Sequence, residues 1–315
     1  MKVHIRREFA AAITLAIFLA FIALAAPSFY STANLRDLAL ANLPVLLIAS
    51  GMTLVVVVAQ IDISVGSMFA ICGVCGGLFV KHGLAAGLLP VAGIVVGALL
   101  GATNGALISF VRAPSIVVTL ATMVAWREAL SWATGGAWVE GLPANFQWFG
   151  VGQSSGELLL FVVTGMVFAS LYWASGHVAA FRAVYATGSD SEAARLAGIN
   201  PRAVVFSVFV LLGALTGLAA SLNAVRFSDV PANSGIGLEL QAIAAVVVGG
   251  TPITGGRGGL IGTLIGVALL GSIGPALTFL GLSPYWGKAI QGGIILVTVF
   301  FDAIAGSTEK RVATA

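Results

Sequence analysis

The sequence predicts an all-α polytopic membrane protein of about ten transmembrane helices, and three observations support this fold class. Apolar residues make up 59% of the 315 residues and charged residues only 9%, whereas a soluble domain carries about 25% charged residues. The apolar residues form runs of about 20, the length at which a helix crosses a bilayer. The charges lie mostly between these runs. We therefore expect one transmembrane domain over residues 1–315, surrounded by lipid.

The expected elements are helices, because a bilayer offers no hydrogen-bond partner to free backbone groups. The predicted spans, in chain order, are Phe9 to Ala26, Leu38 to Ala59, Met68 to Val80, Gly83 to Phe110, Ala113 to Thr134, Leu158 to Gly176, Ala203 to Val225, Leu240 to Gly250, Gly259 to Leu280 and Lys288 to Ile304. The third and eighth runs are short, so we expect two short or broken spans. An even number of spans places both termini on one side.

The positions of Lys and Arg predict which side this is, because these residues are retained in the cytoplasm. The side that holds the termini carries Lys2, Arg6, Arg7, Arg112, Arg182, Arg195, Arg202, Arg257, Lys310 and Arg311. The opposite side carries only Arg36, Lys81, Arg226 and Lys288. We therefore expect both termini to be cytoplasmic.

Two connections are long enough to have their own structure. Residues 135–157 are rich in aromatic residues, as membrane interfaces often are, and fall on the outer side. Residues 177–202 fall on the inner side and form the longest polar stretch of the chain. Within the inner loop we expect a short helix, Ser191 to Ala197, that begins at Ser189 or Asp190 and ends at Gly198.

Glycines recur at every fourth residue in the fourth span and at the same spacing in two others. They are Gly93, Gly97, Gly101 and Gly105, then Gly213 and Gly217, then Gly262 and Gly266. Such stripes allow another helix to approach closely. We interpret them as helix-packing positions within the chain, with a subunit interface as the alternative.

Polar residues and glycines interrupt the hydrophobic pattern at two places next to the short spans. One is residues 60–67, with Asp62, Ser64 and Gly66, and the other is GGTPITGGRGG, which begins with Gly249 and Gly250. Irregular backbone at membrane depth is tolerated where it is buried in protein or lines a wet cavity. These segments are therefore candidates for a permeation path or gate, and ordinary turns are the alternative.

Arg127 is predicted to lie inside the fifth span, where a charge is costly and is by default a functional hypothesis. It either pairs across helices for structure or contacts a solute, and the sequence leaves both readings open. Asn104 poses the same question, since its amide can bind solute hydroxyl groups or join two helices.

The motifs of nucleotide binding and hydrolysis are missing from the sequence. It contains no G-x-x-x-x-G-K-[ST] loop and no H-E-x-x-H pair. Cys72 and Cys75 lie in an apolar run, which favours helix packing over a metal site. We expect no enzyme activity of the chain alone, no cofactor and no metal.

Three segments together resemble the permease subunits of bacterial ABC importers for monosaccharides, the ribose, rhamnose and autoinducer-2 group. They are IDISVGS from Ile61, YATGSDSEAARLAGINP from Tyr185, and ELQAIAAVVVGGTPITGGRGGLIGTLIG from Glu239. The resemblance spans almost the whole chain. It implies a transporter subunit of the cell inner membrane that works by alternating access.

The resemblance also implies partners and site residues. A separate ATPase subunit would bind ATP, a periplasmic sugar-binding protein would deliver the solute, and a second permease subunit would complete a homodimer or heterodimer. The inner loop would contact the ATPase as a coupling helix through Asp190, Glu192, Ala193, Ala194, Arg195 and Gly198. Sparse polar residues such as Thr103 and Gln241 join Asp62, Ser64 and Asn104 as candidates for the path lining.

The segment from Thr119 to Pro143 resembles the rhamnose and autoinducer-2 branches more than the ribose branch. Two other functions remain open from the sequence. The related branched-chain amino acid permeases share the glycine-rich motifs of the last third. An ion-coupled secondary transporter would require buried carboxylates, for which Asp62, Glu128 and Glu239 are the candidates.

Overall fold

A computed structural model describes residues 2–294 and 296, and all regular secondary structure in these residues is helical. The α-helices are α1 Lys2–Ala25, α2 Thr32–Val57, α3 Val65–Lys81, α4 Leu89–Ser109, α5 Ser115–Thr134, α6 Gln153–His177, α7 Ala179–Ser189, α8 Ser191–Leu196, α9 Pro201–Ala224, α10 Leu238–Val248 and α11 Leu260–Phe279. A further helix begins at residue 286 and is described to residue 294. Short 3-10 helices lie at Pro27–Tyr30, Ala86–Leu88 and Gln147–Gly150.

Six helices of the described chain are long and apolar enough to cross a membrane: α2, α4 with its preceding 3-10 turn, α5, α6, α9 and α11. Three shorter apolar helices are Phe9–Ala25, Val65–Lys81 and Leu238–Val248. The last two are the predicted short spans, and each follows an irregular segment. Of the predicted tenth span, residues 297–304 lie outside the described residues, as do Lys310 and Arg311.

Several predicted boundaries were wrong. The fourth span does not run continuously from Gly83, because residues 82–85 form a turn and α4 starts only at Leu89. α6 begins at Gln153, so the outer loop ends before residue 157. The inner loop 177–202 was expected to hold one short helix, but an additional helix, α7, precedes it.

α9 forms the centre of the bundle and packs against α2, α3 and α4. Phe209 and Leu212 on α9 are fully buried, as are Ile48 and Met52 on α2. By contrast, α5 and α6 keep most of their apolar side chains exposed, among them Trp132 and Trp173. Large exposed apolar faces are rare in soluble monomers and are expected where lipid or another subunit covers them.

The loops meet in two groups at opposite ends of the bundle. At one end, Val139 and Val230 form an isolated antiparallel bridge, and Arg36 on α2 pairs with Glu157 on α6. At the other end, Gly256 N donates to the carbonyl oxygen of Val57, the last residue of α2, at 2.8 Å. Arg36 and Val57 lie on the same helix, so its rise separates the two ends by about 30 Å.

Candidate functional site

The segment between α2 and α3 carries a buried polar cluster. Asp62, Ser64 and Asn104 have no measurable exposure. Asp62 Oδ1 accepts from the Ser64 backbone N at 2.8 Å and from Ser64 Oγ at 2.6 Å, which fixes the turn that starts α3. Asn104 on α4 donates from Nδ2 to Ser64 Oγ at 2.8 Å and, more weakly, to Asp62 Oδ2 at 3.4 Å. The cluster therefore ties the interrupted span to α4.

The two interrupted spans contact each other directly. A Cβ atom at Gly66, near the start of α3, would overlap both the carbonyl oxygen of Gly235 and the Glu239 carboxylate. A Cβ atom at Gly235 would lie 2.5 Å from the carbonyl oxygen of Gly66. Gly235 also has a φ of +78°, which glycine adopts at little cost. Only glycine at both positions allows the backbones before α3 and before α10 to approach this closely.

Arg127 on α5 binds the same irregular segment. Its Nη1 donates to the carbonyl oxygen of Ser234 at 2.8 Å, and the side chain is half-buried. Ser67 Oγ, on α3, donates to the carbonyl oxygen of Met123 at 2.7 Å, one turn before Arg127. Arg127 thus bonds to backbone across the bundle.

The candidates on and after α10 do not join these contacts. Gln241 is half-buried two residues after Glu239, which places it on a different face of the helix. Gly249 lies at the end of α10, where a Cβ atom would overlap the carbonyl oxygen of Gly262 on α11. A Cβ atom at Gly266 would likewise overlap the carbonyl oxygen of Ala245, and Gly250 has a φ of +96°. These glycines close the α10–α11 hairpin.

The glycine stripe of α4 faces α9. Cβ atoms at Gly93, Gly97 and Gly101 would overlap backbone carbonyl oxygens of Gly217, Gly213 and Phe209, respectively. Gly105 has slightly more room, with 3.1 Å from its Cβ position to the Phe206 oxygen. The two helices therefore pack backbone to backbone within one chain, as small-residue stripes allow.

The predicted short helix of the inner loop is present as α8. Asp190 Oδ1 caps it by accepting from the backbone N of Glu192 at 2.9 Å and of Ala193 at 3.0 Å. Arg195 Nε donates to Glu192 Oε2 at 3.0 Å, and this bond lowers the pKa of Glu192. Gly198 follows the helix with a φ of +84°.

α8 projects from the bundle with most of its surface exposed. Ala194 is the buried residue of the helix, while Ala193 and the charged pair Glu192 and Arg195 face solvent. Leu196 is 76% exposed and was not singled out from the sequence.

The site candidates thus fall into separate groups. Asp62, Ser64 and Asn104 form one cluster, and Gly66 and Arg127 meet the segment of residues 231–237. Gly249 and Gly250 belong to the α10–α11 turn, and Asp190 to Gly198 form the exposed helix. Sequence reasoning missed Ser234 and Gly235, because their partners are distant in the chain and nothing local in the sequence indicates them.

Comparison with known proteins places these features in context. A family model described as branched-chain amino acid transport system / permease component matches residues 34–299. The ribose import permease protein RbsC of Escherichia coli (strain K12) is 34% identical over 294 residues, which cover 92% of each chain. The autoinducer 2 import system permease protein LsrC of Escherichia coli (strain K12 / DH10B) is 36% identical over 262 residues, or 82% of this chain and 75% of the relative. No solved structure matches the chain.

Proposed function

Because the chain belongs to the family described as branched-chain amino acid transport system / permease component, we propose that it is the permease subunit of an ABC importer for a monosaccharide-type solute. The chain is a multi-pass protein of the cell inner membrane. The assignment of the solute class rests on the 34% identity to a ribose import permease along 92% of both chains. Similarity to an autoinducer 2 import permease over 82% of this chain agrees with it.

The finer topology that we propose has ten spans with both termini in the cytoplasm, arranged as a single domain. Six long helices and three shorter apolar helices supply nine of the spans, and the helix that begins at residue 286 supplies the tenth. The end of the bundle that carries α8 is then cytoplasmic. The excess of Lys and Arg predicted for that side supports this orientation.

The proposed mechanism is alternating access without a covalent step. The irregular segments before α3 and α10 are the movable part, because residues without a continuous helical ladder change φ and ψ more readily than helices do. The contact of Gly66, at the start of α3, with Gly235, in the segment before α10, is a candidate constriction of the path. Polar side chains of the two interrupted spans, among them Ser64 and Gln241, would give a solute weak hydrogen bonds that do not trap it.

The driving force would come from other subunits. The exposed helix α8, with Asp190, Glu192, Ala193, Ala194, Arg195 and Gly198, is the proposed contact for an ATPase subunit that binds ATP itself. A periplasmic binding protein would deliver the solute at the opposite end, and a second permease subunit would complete the path. The permease then requires no cofactor and no catalytic residue of its own.

Uptake in vesicles tests the solute class. The chain is purified with the subunits that accompany it in the membrane, reconstituted with ATP inside the vesicles, and offered radiolabelled ribose, rhamnose, autoinducer 2 and leucine through the binding protein. We expect ATP-dependent accumulation of one of the sugar-type solutes and none of leucine. Accumulation of leucine alone would instead assign the chain to the amino acid permeases of the family.

A further inference from the structure

The end of α7, next to the exposed helix α8, makes an unusually close contact with two other parts of the bundle. Gly188 lies against the last turn of α2, where a Cβ atom would overlap the carbonyl oxygen of Val57. The same Cβ atom would lie 2.9 Å from the backbone N of Gly256, in the glycine-rich loop between α10 and α11. Three chain segments therefore meet at a point that tolerates no side chain.

Hydrogen bonds hold these segments together. Gly256 N donates to the carbonyl oxygen of Val57 at 2.8 Å. Tyr185 Oη, one turn before Gly188, donates to the carbonyl oxygen of Gly258 at 2.9 Å. Ser189 Oγ donates to the carbonyl oxygen of Gly256 at 3.4 Å, a weaker bond. α7 is thus bonded to the loop at two positions, and the loop is bonded to α2.

The glycine-rich loop owes its path to the same contact. Gly255 and Gly256 have φ values of +81° and +73°, which residues other than glycine rarely adopt. A Cβ atom at Gly255 would lie 2.8 Å from that of Ala59, and Ala59 itself has a φ of +57°. The backbone beyond α2 is thus also fixed here, three residues before Asp62.

We propose that Tyr185, Gly188 and the loop of residues 255–258 form a rigid junction through which a movement of α8 reaches both interrupted spans at once. α7 ends at Ser189, and Asp190 directly begins α8, so displacement of α8 moves the junction. From Val57 and Ala59 the displacement passes to Asp62 and α3. From residues 255–258 it passes to the α10–α11 hairpin, and so to α10. Tyr185 and Gly188 are positioning residues in this scheme, which rests on the proposed function.

The junction explains why the two irregular segments would move together. The start of α3 contacts the irregular segment before α10 through Gly66 and Gly235. Both α3 and α10 are connected to the junction through short backbone segments. A closely packed backbone contact transmits displacement because packed interiors have few voids in which it can be absorbed. Loose or hydrated contacts at the same place would not do so.

The test measures solute transported per ATP hydrolysed, in vesicles that contain the whole importer. Gly188→Ala is compared with Gly176→Ala, a matched control at the end of α6, where an added Cβ meets nothing within 4 Å. We expect Gly188→Ala to lower the ratio about tenfold, the size of a typical coupling energy, while ATP hydrolysis continues, and Gly176→Ala to leave it unchanged. A purely structural role would lower transport and hydrolysis in proportion, and that result or an unchanged ratio would overturn the proposal.

Two further variants keep the test decisive if Gly188→Ala fails to assemble. Tyr185→Phe removes only the hydroxyl bond and should lower the same ratio by a smaller factor. Ser189→Ala removes only the weaker bond to the carbonyl oxygen of Gly256 and should lower the ratio less than Tyr185→Phe does. An unchanged ratio in Tyr185→Phe would count against the proposal. Failure of the wild-type importer to use ATP would instead count against the proposed function.

Discussion

The guanidinium of Arg127 binds the backbone carbonyl of Ser234, with 2.8 Å between Nη1 and the oxygen. This bond crosses 107 positions of sequence and joins α5 to the irregular segment that precedes α10. The next residue, Gly235, is in direct contact with Gly66 at the start of α3. Arg127, for which the sequence left helix pairing and solute contact both open, thus bonds to the backbone directly before the Gly66–Gly235 contact.

Replacement of Arg127 by Ala should reduce stability more than it changes solute affinity. Hydrogen bonds to charged groups contribute about 1.5–3 kcal/mol, and the variant leaves the Ser234 carbonyl without this donor. We expect a lower unfolding temperature in detergent and a lower maximal uptake rate with little change in KM. Glu128→Gln, at the neighbouring exposed position, is the control and should behave like wild type. A raised KM with unchanged unfolding temperature would favour direct contact with the solute.

Asn104→Ala should destabilise the start of α3. Asn104 donates to Ser64 Oγ at 2.8 Å in a fully buried site, and a buried polar group that loses its partner costs about 1–3 kcal/mol. Thermal unfolding of the purified protein measures the effect. Thr103→Ala is the matched control, because Thr103 is exposed and its hydroxyl donates to the carbonyl oxygen of Leu99 in its own helix. Equal unfolding temperatures for the two variants would contradict the structural role of Asn104.

Because α4 packs closely on α9, a Gly→Ala substitution in α4 should change the unfolding temperature differently from the same substitution in α6. Gly97→Ala should lower the unfolding temperature, since its Cβ would overlap the carbonyl oxygen of Gly213, and overpacking costs about 1–3 kcal/mol. Gly165→Ala in α6, where nothing lies within 4 Å of the added atom, should leave it unchanged or raise it. If the two variants unfold at the same temperature, the backbones of α4 and α9 are not packed as described.

The cap of α8 is testable by hydrogen exchange. Asp190→Ala removes the acceptor of the Glu192 and Ala193 amides, whereas Asp190→Asn keeps an oxygen there. Loss of a cap weakens a helix start by about 1 kcal/mol, so we expect exchange of these amides to be several times faster in the Ala variant only. Slow exchange in both variants would mean that the cap does not hold α8.

Local signals were sufficient for α8 but not for α7. The sequence predicted a helix from Ser191 to Ala197, and the structure has a helix at Ser191–Leu196 with Asp190 as the cap. The prediction succeeded because capping and glycine termination depend on residues that are neighbours in the sequence. α7 has mixed composition and was not predicted. Its last turn packs on Val57 and Gly256, which are distant in sequence, so the stabilising contacts leave no local pattern.

The same distinction applies to the membrane spans and the site. Long apolar runs predicted the positions of α5, α9 and α11 to within two residues, since the requirement of the bilayer acts on each run separately. The polar break at residues 60–67 was recognised from its composition. The partners of Gly66 and Arg127 were not, because they are set by how α3, α5 and α10 pack together.

The proposed function requires that the chain transport solute only with energy supplied by a separate ATP-hydrolysing subunit. Uptake of the identified solute is measured in vesicles that contain the permease with or without that subunit, in the presence of ATP or of an imposed proton or sodium gradient. We expect uptake only with the subunit and ATP, unaffected by ionophores. Uptake by the permease alone that follows the ion gradient and stops when an ionophore is added would contradict it.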